Sequence, residues 1–237
     1  MTERVTLITG ASAGIGAEMA RLFASKGHRV ALVARRAERL EALAAEIVGA
    51  GGAKPIVMTC DLQQPDSGDW IAAALAAENV EVEYVVNNAG YGIFGHATKR
   101  DRAEQLGIIA VNVRALTDLS LRFSDQLIRH RGGILNVASI ASFLPGPGMA
   151  VYYASKAYVL SFTEALRAEL GPRGVRVTAL CPGPVPSEFQ ARAGYHGLMA
   201  NKRAVMPGIG VKAVPVLLRF FPRSLILAAV GRLQLRR

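Results

Sequence analysis

The chain is short of several things, and each shortage closes a class of protein. Only two of its 237 residues are cysteines, Cys60 and Cys181. Two distant thiols cannot staple a chain this long, so a disulfide scaffold is excluded, and free thiols point to a reducing, cytoplasmic setting. The four histidines, His28, His96, His130 and His196, are scattered without the spacing of metal ligands, so no metal site is expected. No apolar run reaches the ~18 residues that suggest a membrane span. The C-terminal runs are cut by Lys212, Arg219, Arg223 and Arg232. A strand-like stretch, Val5-Thr6-Leu7-Ile8, begins almost at once, and no signal peptide is expected ahead of it. Acid is missing altogether after Glu188.

That last absence locates the net charge of +10. Residues 1–188 hold 19 Lys and Arg against 18 Asp and Glu, whereas residues 189–237 hold nine Lys and Arg and no acid. The body is close to neutral, which argues against a nucleic-acid groove. What the chain has in plenty is apolar: 51% of residues are hydrophobic and 19% charged. That is ample to offset ordering entropy, so the chain is not disordered.

The apolar residues fall in short continuous runs at 4–9, 28–34, 55–59, 82–87, 133–138 and 175–180. Continuous rather than alternating runs suit parallel strands covered on both faces. Helical periods lie between them, at 14–26, at 36–49, and as two longer helices at about 101–130 and 152–170. Alternation of this kind predicts one α/β domain with a doubly wound, Rossmann-type parallel sheet. We place that domain at 1–207, with residues 203–207 as the last strand. A basic arm follows at 208–237, with amphipathic helices at Val211–Phe221 and Arg223–Leu235 that pack through their apolar faces on protein or rest on a membrane surface.

The first strand runs into Thr9-Gly10-Ala11-Ser12-Ala13-Gly14-Ile15-Gly16, and a helix opens there. A strand-to-helix turn that brings backbone amides against a pyrophosphate needs glycine, and the helix N-terminus favours the anion. Gly10, Ser12, Gly14, Ile15 and Gly16 are therefore candidate dinucleotide-binding residues. The second strand ends in Ala34-Arg35-Arg36. An acid in this region would meet a ribose 2′-OH, whereas two arginines suit a 2′-phosphate, which selects NADP(H).

Further along stands Val151-Tyr152-Tyr153-Ala154-Ser155-Lys156. Tyr152 and Lys156 are four residues apart and share a helix face. A neighbouring ammonium favours phenolate over phenol, so such a pair can exchange a proton with a carbonyl or alcohol oxygen. Ser139 stands 13 positions before Tyr152, Asn112 lies in the preceding long helix, and Asn87-Asn88-Ala89-Gly90 closes the fourth strand.

With these motifs in this order, the chain resembles the short-chain dehydrogenase/reductase family. The resemblance rests on TGASAGIG (9–16), CDL (60–62), NNAG (87–90), VN (111–112), IASF after Ser139, YYASK (152–156) and CPGPVPSEF (181–189). It implies Tyr152 as general acid/base and Lys156 as the residue that holds the nicotinamide ribose and tunes Tyr152. It implies Ser139 as the group that orients the substrate oxygen, and Asn112 as the holder of a water leading to solvent. It assigns Asp61 and Leu62 to the adenine end and Asn88, Ala89 and Gly90 to the cofactor groove. Pro182, Gly183 and Val185 lie over the nicotinamide, and Ser187 stands where the family carries threonine. It also implies a homodimer or homotetramer paired through the two long helices.

The expected substrate is a small-molecule carbonyl or alcohol of hydrophobic or lipid-like character, in an apolar pocket of Phe94, Phe143, Leu144, Tyr153 and Phe189. A non-catalytic NADP(H)-binding regulator is the alternative, which loss of one of the four residues Asn112, Ser139, Tyr152 and Lys156 would favour. The chain departs from the family after Phe189, where the usual helical insert over the substrate is short. The segment at 189–196 is accordingly expected to be mobile or interrupted.

Overall fold

Seven stretches pair edge to edge: β1 (Glu3–Thr9), β2 (Arg29–Ala34), β3 (Ile56–Thr59), β4 (Val80–Asn87), β5 (Gly133–Val137), β6 (Arg176–Leu180) and β7 (Ala204–Val205). All pairings are parallel, in the order β3-β2-β1-β4-β5-β6-β7. The computed structural model describes residues 2–184, 186–208 and 222–234. The continuous apolar runs have the expected cause, since the five inner strands bury both faces. Leu7, Val33, Val85, Ile134 and Val177 face one core, and Ile8, Leu32, Val86, Leu135 and Leu180 face the other.

Helices α1 (Gly14–Ser25) and α2 (Ala37–Gly49) cover the second face. Helix α3 (Ser67–Ala77) packs on the first. Chain order reverses between β3 and β4, which lie on opposite sides of β1. The carboxyl ends of β1 and β4 therefore flank a switch point, where a crevice opens.

The long helix expected at 101–130 is broken. It comprises α4 (Arg102–Ile109), a π-helical turn at Ala110–Ala115, α5 (Leu116–Arg122) and α6 (Ser124–His130). The wide turn holds Asn112, whose side chain is fully buried. Phe123 interrupts the next helical boundary with φ −96° and ψ 6°, and its ring is buried in the core. Helix α7 (Ala150–Leu170) is unbroken and packs on the same face of the sheet.

A second expectation is overturned at 189–196. These residues form the middle of helix α8 (Ser187–Met199), which crosses from β6 to β7 and packs on α1. Parallel neighbouring strands require such a crossover. Gln190, Ala191, Gly194, Tyr195 and Leu198 repeat at helical spacing and are buried. A Cβ at Gly194 would stand 2.6 Å from Met19 Cε, so glycine sets how closely the helix seats.

Helix α9 (Arg223–Gln234) lies within the arm, and its Gly231 approaches the Pro147 ring. Ile226 and Val230 are half-buried, but Leu225 and Leu227 are 58% and 41% exposed, so the apolar residues are not all packed as expected. The expected helix at Val211–Phe221 lies outside the described residues. Among the described residues no helix is long and apolar enough to cross a membrane.

Candidate active site

A cleft of about 660 Å³ opens at the switch point. Its floor is the end of β1 clamped to the end of β4. Thr9 Oγ1 accepts the amides of Asn88 and Ala89, both at 3.0 Å. Asn88 Nδ2 donates back to the carbonyls of Thr9 (2.9 Å) and Gly10 (3.2 Å). The clamp makes the glycine turn sterically strict. Gly10 has φ +66°, and a Cβ on Gly16 would stand 2.4 Å from both Asn88 Nδ2 and the Gly10 carbonyl.

Helix α1 opens from this turn. Its N-cap, Ala13, offers no side chain to the first-turn amides. Uncapped amides and an unblocked backbone fit an anionic diphosphate. Ser187, the first residue of α8, comes beside the same turn, its Oγ 3.8 Å from where a Gly14 Cβ would be. The N-cap of α8, Pro186, likewise makes no side-chain cap bond, so two uncapped helix starts lie together.

At the adenosine end, Arg36 folds over the turn, donating from Nη2 (2.9 Å) and Nε (3.3 Å) to Ser12 Oγ. Arg35 stands exposed in the cleft wall, with no ion pair or hydrogen bond among the described residues. Asp61 Oδ1 accepts the amide of Gln63 at 3.0 Å, and buried Leu62 lines the wall beside it.

At the other end stand Ser139, Tyr152 and Lys156, all in the same wall. Lys156 is 4% exposed, and its Nζ donates to the Val137 carbonyl at 2.7 Å and lies 5.9 Å from the Tyr152 ring centroid. Burial pulls the Lys156 ammonium down to about 8. Ser139 caps a 3₁₀ turn at Ile140–Phe143, with its Oγ accepting the Ala141 amide at 3.1 Å. That bond occupies an acceptor position and leaves the hydroxyl proton available to a substrate oxygen.

Asn112 lies behind the wall rather than in it. Its Nδ2 donates to the Tyr91 carbonyl (3.0 Å) and Ser155 Oγ (2.9 Å), and its Oδ1 accepts the Tyr91 amide (3.1 Å). Ser155 Oγ in turn donates to the Tyr152 carbonyl at 2.7 Å. Asn112 thus ties the Tyr91 segment to the start of α7. Cys181 is buried, and burial pushes its thiol up to about 12, which disfavours the reactive thiolate.

Ala89, Gly90 and Pro182 also line the cleft, and the Pro182 carbonyl accepts the Ile140 amide at 3.0 Å. Gly183 sits just beyond, its carbonyl accepting from Gln190 Nε2 at 3.0 Å. Val185 lies outside the described residues. Of the five expected pocket residues, only Phe94 lines the cleft. Phe143 packs with Leu116, Val159 and Ala179 in a small core. Tyr153 lies against Gly146, Leu144 is half-buried beyond the cleft wall, and Phe189 is 52% exposed on α8.

Tyr91, Gly92 and Met149 were not expected and do line it. A Cβ on Gly92 would meet the Tyr152 ring at 2.7 Å. A further glycine two residues after the NNAG segment was the available signal for that contact.

Fold and cleft together define an α/β domain with an open crevice at the switch point of a doubly wound sheet, the place where such sheets take their ligands. The profile of the family described as short chain dehydrogenase matches residues 4–196, and the chain belongs to that family of oxidoreductases. It is 39% identical over 193 residues to sulfoacetaldehyde reductase of Chromohalobacter salexigens, covering 80% of this chain and 75% of that one. A short-chain dehydrogenase from Sphingobium yanoikuyae, solved in complex with NADPH, superposes with a TM-score of 0.82 at 30% identity over 92% of each chain. A bulky-bulky ketone specific alcohol dehydrogenase from Comamonas testosteroni gives 0.81 at 27% identity, over 94% of this chain and 97% of that one.

Proposed function

We propose that the chain is an NADP(H)-dependent carbonyl reductase or alcohol dehydrogenase, with Tyr152 as its general acid/base. The observation that carries this reading is the shared wall: Tyr152 and Lys156 face the same cleft that opens at the glycine turn. The nicotinamide, when bound, supplies or accepts the hydride. Tyr152 exchanges the proton with the substrate oxygen, and Ser139 donates a hydrogen bond to that oxygen. Lys156 places positive charge beside the phenol and stabilises the oxygen once its proton has gone. Asn112 holds the backbone on which this geometry rests.

Phe94 and Met149 supply an apolar wall, which suits a hydrophobic substrate. All four of Asn112, Ser139, Tyr152 and Lys156 are present, so a non-catalytic regulator is disfavoured. A panel of aldehydes and ketones followed by NADPH absorbance tests the reading. Failure of every substrate together with failure to bind NADPH would overturn it.

Cofactor choice rests on Arg35 and Arg36, with the NADPH-bound relative in support. Charge-assisted hydrogen bonds contribute roughly 1.5–3 kcal/mol each. Arg35→Ala is therefore expected to weaken NADPH about 10- to 100-fold and to leave NADH nearly unchanged. Equal losses for both cofactors in titration calorimetry reject the 2′-phosphate role.

The assembly expected from the resemblance has a surface to use. Leu106 and Ile109 on α4, Leu121 on α5 and Tyr158 on α7 are exposed. A hydrogen bond between Thr117 Oγ1 and Tyr158 OH (2.8 Å) joins the last two helices. Such a face suits a two-fold interface. Light scattering is expected to return a dimer or tetramer at micromolar concentration, and a monomer rejects it. The exposed leucines of α9 and its basic surroundings would suit an anionic bilayer, the second surface reading for this chain.

A further inference from the structure

We propose that Ser142 is a positioning residue: its hydroxyl ties Ser139 to the helix that carries Tyr152 and Lys156. The inference rests on the catalytic reading above. Ser142 Oγ accepts the Ser139 amide at 3.3 Å and donates to the Lys156 carbonyl at 2.7 Å. An amide can only donate and a carbonyl can only accept, so both roles of this hydroxyl are set. The rotor has one orientation, and one oxygen bridges two elements that carry separate parts of the site.

The other restraints on this turn act differently. The Ile140 amide holds it to the end of β6 through the Pro182 carbonyl, at 3.0 Å. The Ala141 amide closes the turn on Ser139 itself. Helix α7 also reaches the end of β5 through Lys156 Nζ and the Val137 carbonyl. That bond uses one of the three N–H donors of an ammonium which the proposed chemistry also needs. Ser142 gives a tie from the Ser139 turn to α7 that does not depend on the ammonium. Ser139 must present its proton to the same oxygen that Tyr152 serves, and small misplacements of such groups are costly to rate. Alanine or glycine at 142 would keep the turn's shape and lose the bridge, whereas threonine would keep the hydroxyl.

The test compares Ser142→Ala and Ser142→Thr in the full chain. Ser142→Ala is expected to lower kcat about 10-fold with the KM for NADPH unchanged, and Ser142→Thr to restore kcat. In a Ser139→Ala background, Ser142→Ala should cost little more, because it acts through Ser139. Independent of turnover, hydrogen exchange read by mass spectrometry should be faster across 138–143 in Ser142→Ala, but not in Ser142→Thr. Wild-type kcat in Ser142→Ala, or losses that multiply in the double variant, overturn the proposal. If the wild type turns over no carbonyl, it is the catalytic reading that falls. The exchange result then decides the bridge alone, and unchanged exchange across 138–143 rejects it.

Discussion

Tyr152→Phe is expected to abolish turnover, by about 10²- to 10⁴-fold, while leaving NADPH affinity within a few-fold. The ring of Tyr152 sits against Gly92 and one turn from Lys156. Phenylalanine fills the same space and keeps those ring contacts, so the variant removes one oxygen and its proton. The proposed phosphate contacts are untouched, because the glycine turn and Arg35 lie at the other end of the cleft. Loss of kcat with intact cofactor titration and an unchanged melting curve is the expected pattern. Wild-type turnover of any accepted substrate by this variant excludes Tyr152 as the proton donor.

Lys156→Met is expected to raise stability as it destroys activity. Burial holds the Lys156 ammonium at about 8 against an ordinary 10.5. The charged form is thus disfavoured in the fold, at a cost of about 3 kcal/mol near neutral pH. Methionine removes that cost but leaves the Val137 carbonyl without its charged partner, which returns roughly 1.5–3 kcal/mol. The balance, about 0–1.5 kcal/mol in favour of methionine, corresponds to a Tm increase of at most roughly 3–6 °C in a chain of this size.

The pH dependence has a definite sign. Between about 8 and 10.5 the unfolded chain binds more protons at this group than the folded one, so wild-type stability rises with pH there. The penalty is fully present below about 8, and it fades as pH rises toward 10.5. The advantage of Lys156→Met should therefore be largest near pH 7 and shrink by pH 10. Thermal melts at the two values check this, and a gap that grows with pH rejects the buried-charge account. The same variant should lose turnover and bind NADPH less tightly, since Lys156 lines the cleft.

Much of the architecture could be read locally. Six apolar runs marked six strands because parallel strands bury both faces, and that pattern needs no partner to be visible. The seventh strand was legible only through the family's order of segments, which places a last strand at 203–207. It is two residues long, Ala204–Val205, and too short to carry a period. Helix α8 is not legible because Gln190, Gly194 and Gly197 interrupt, on its buried face, the apolar period of Ala191, Tyr195 and Leu198. Small residues are buried there because the helix lies close to α1 and β7, a fact about the neighbours.

For the site, the amino-acid order by itself determined what short-range sterics and helical geometry dictate. Glycine is required where β1 turns into α1, Tyr152 and Lys156 share a face at i and i+4, and two arginines replace an acid after β2. Only the tertiary structure decided the contacts between distant segments. It placed Asn112 behind the wall, bonded to Tyr91 and Ser155. It turned Phe143 into a core and left Phe189 on the surface. It brought Gly92 against Tyr152, and Ser142 between Ser139 and Lys156. A period along the chain reports which face of an element is apolar, but which residue of another element meets that face depends on crossing, register and helix breaks. Those are set by packing of the whole core, so the Tyr152–Lys156 pair was legible in the sequence and the contacts that surround it were not.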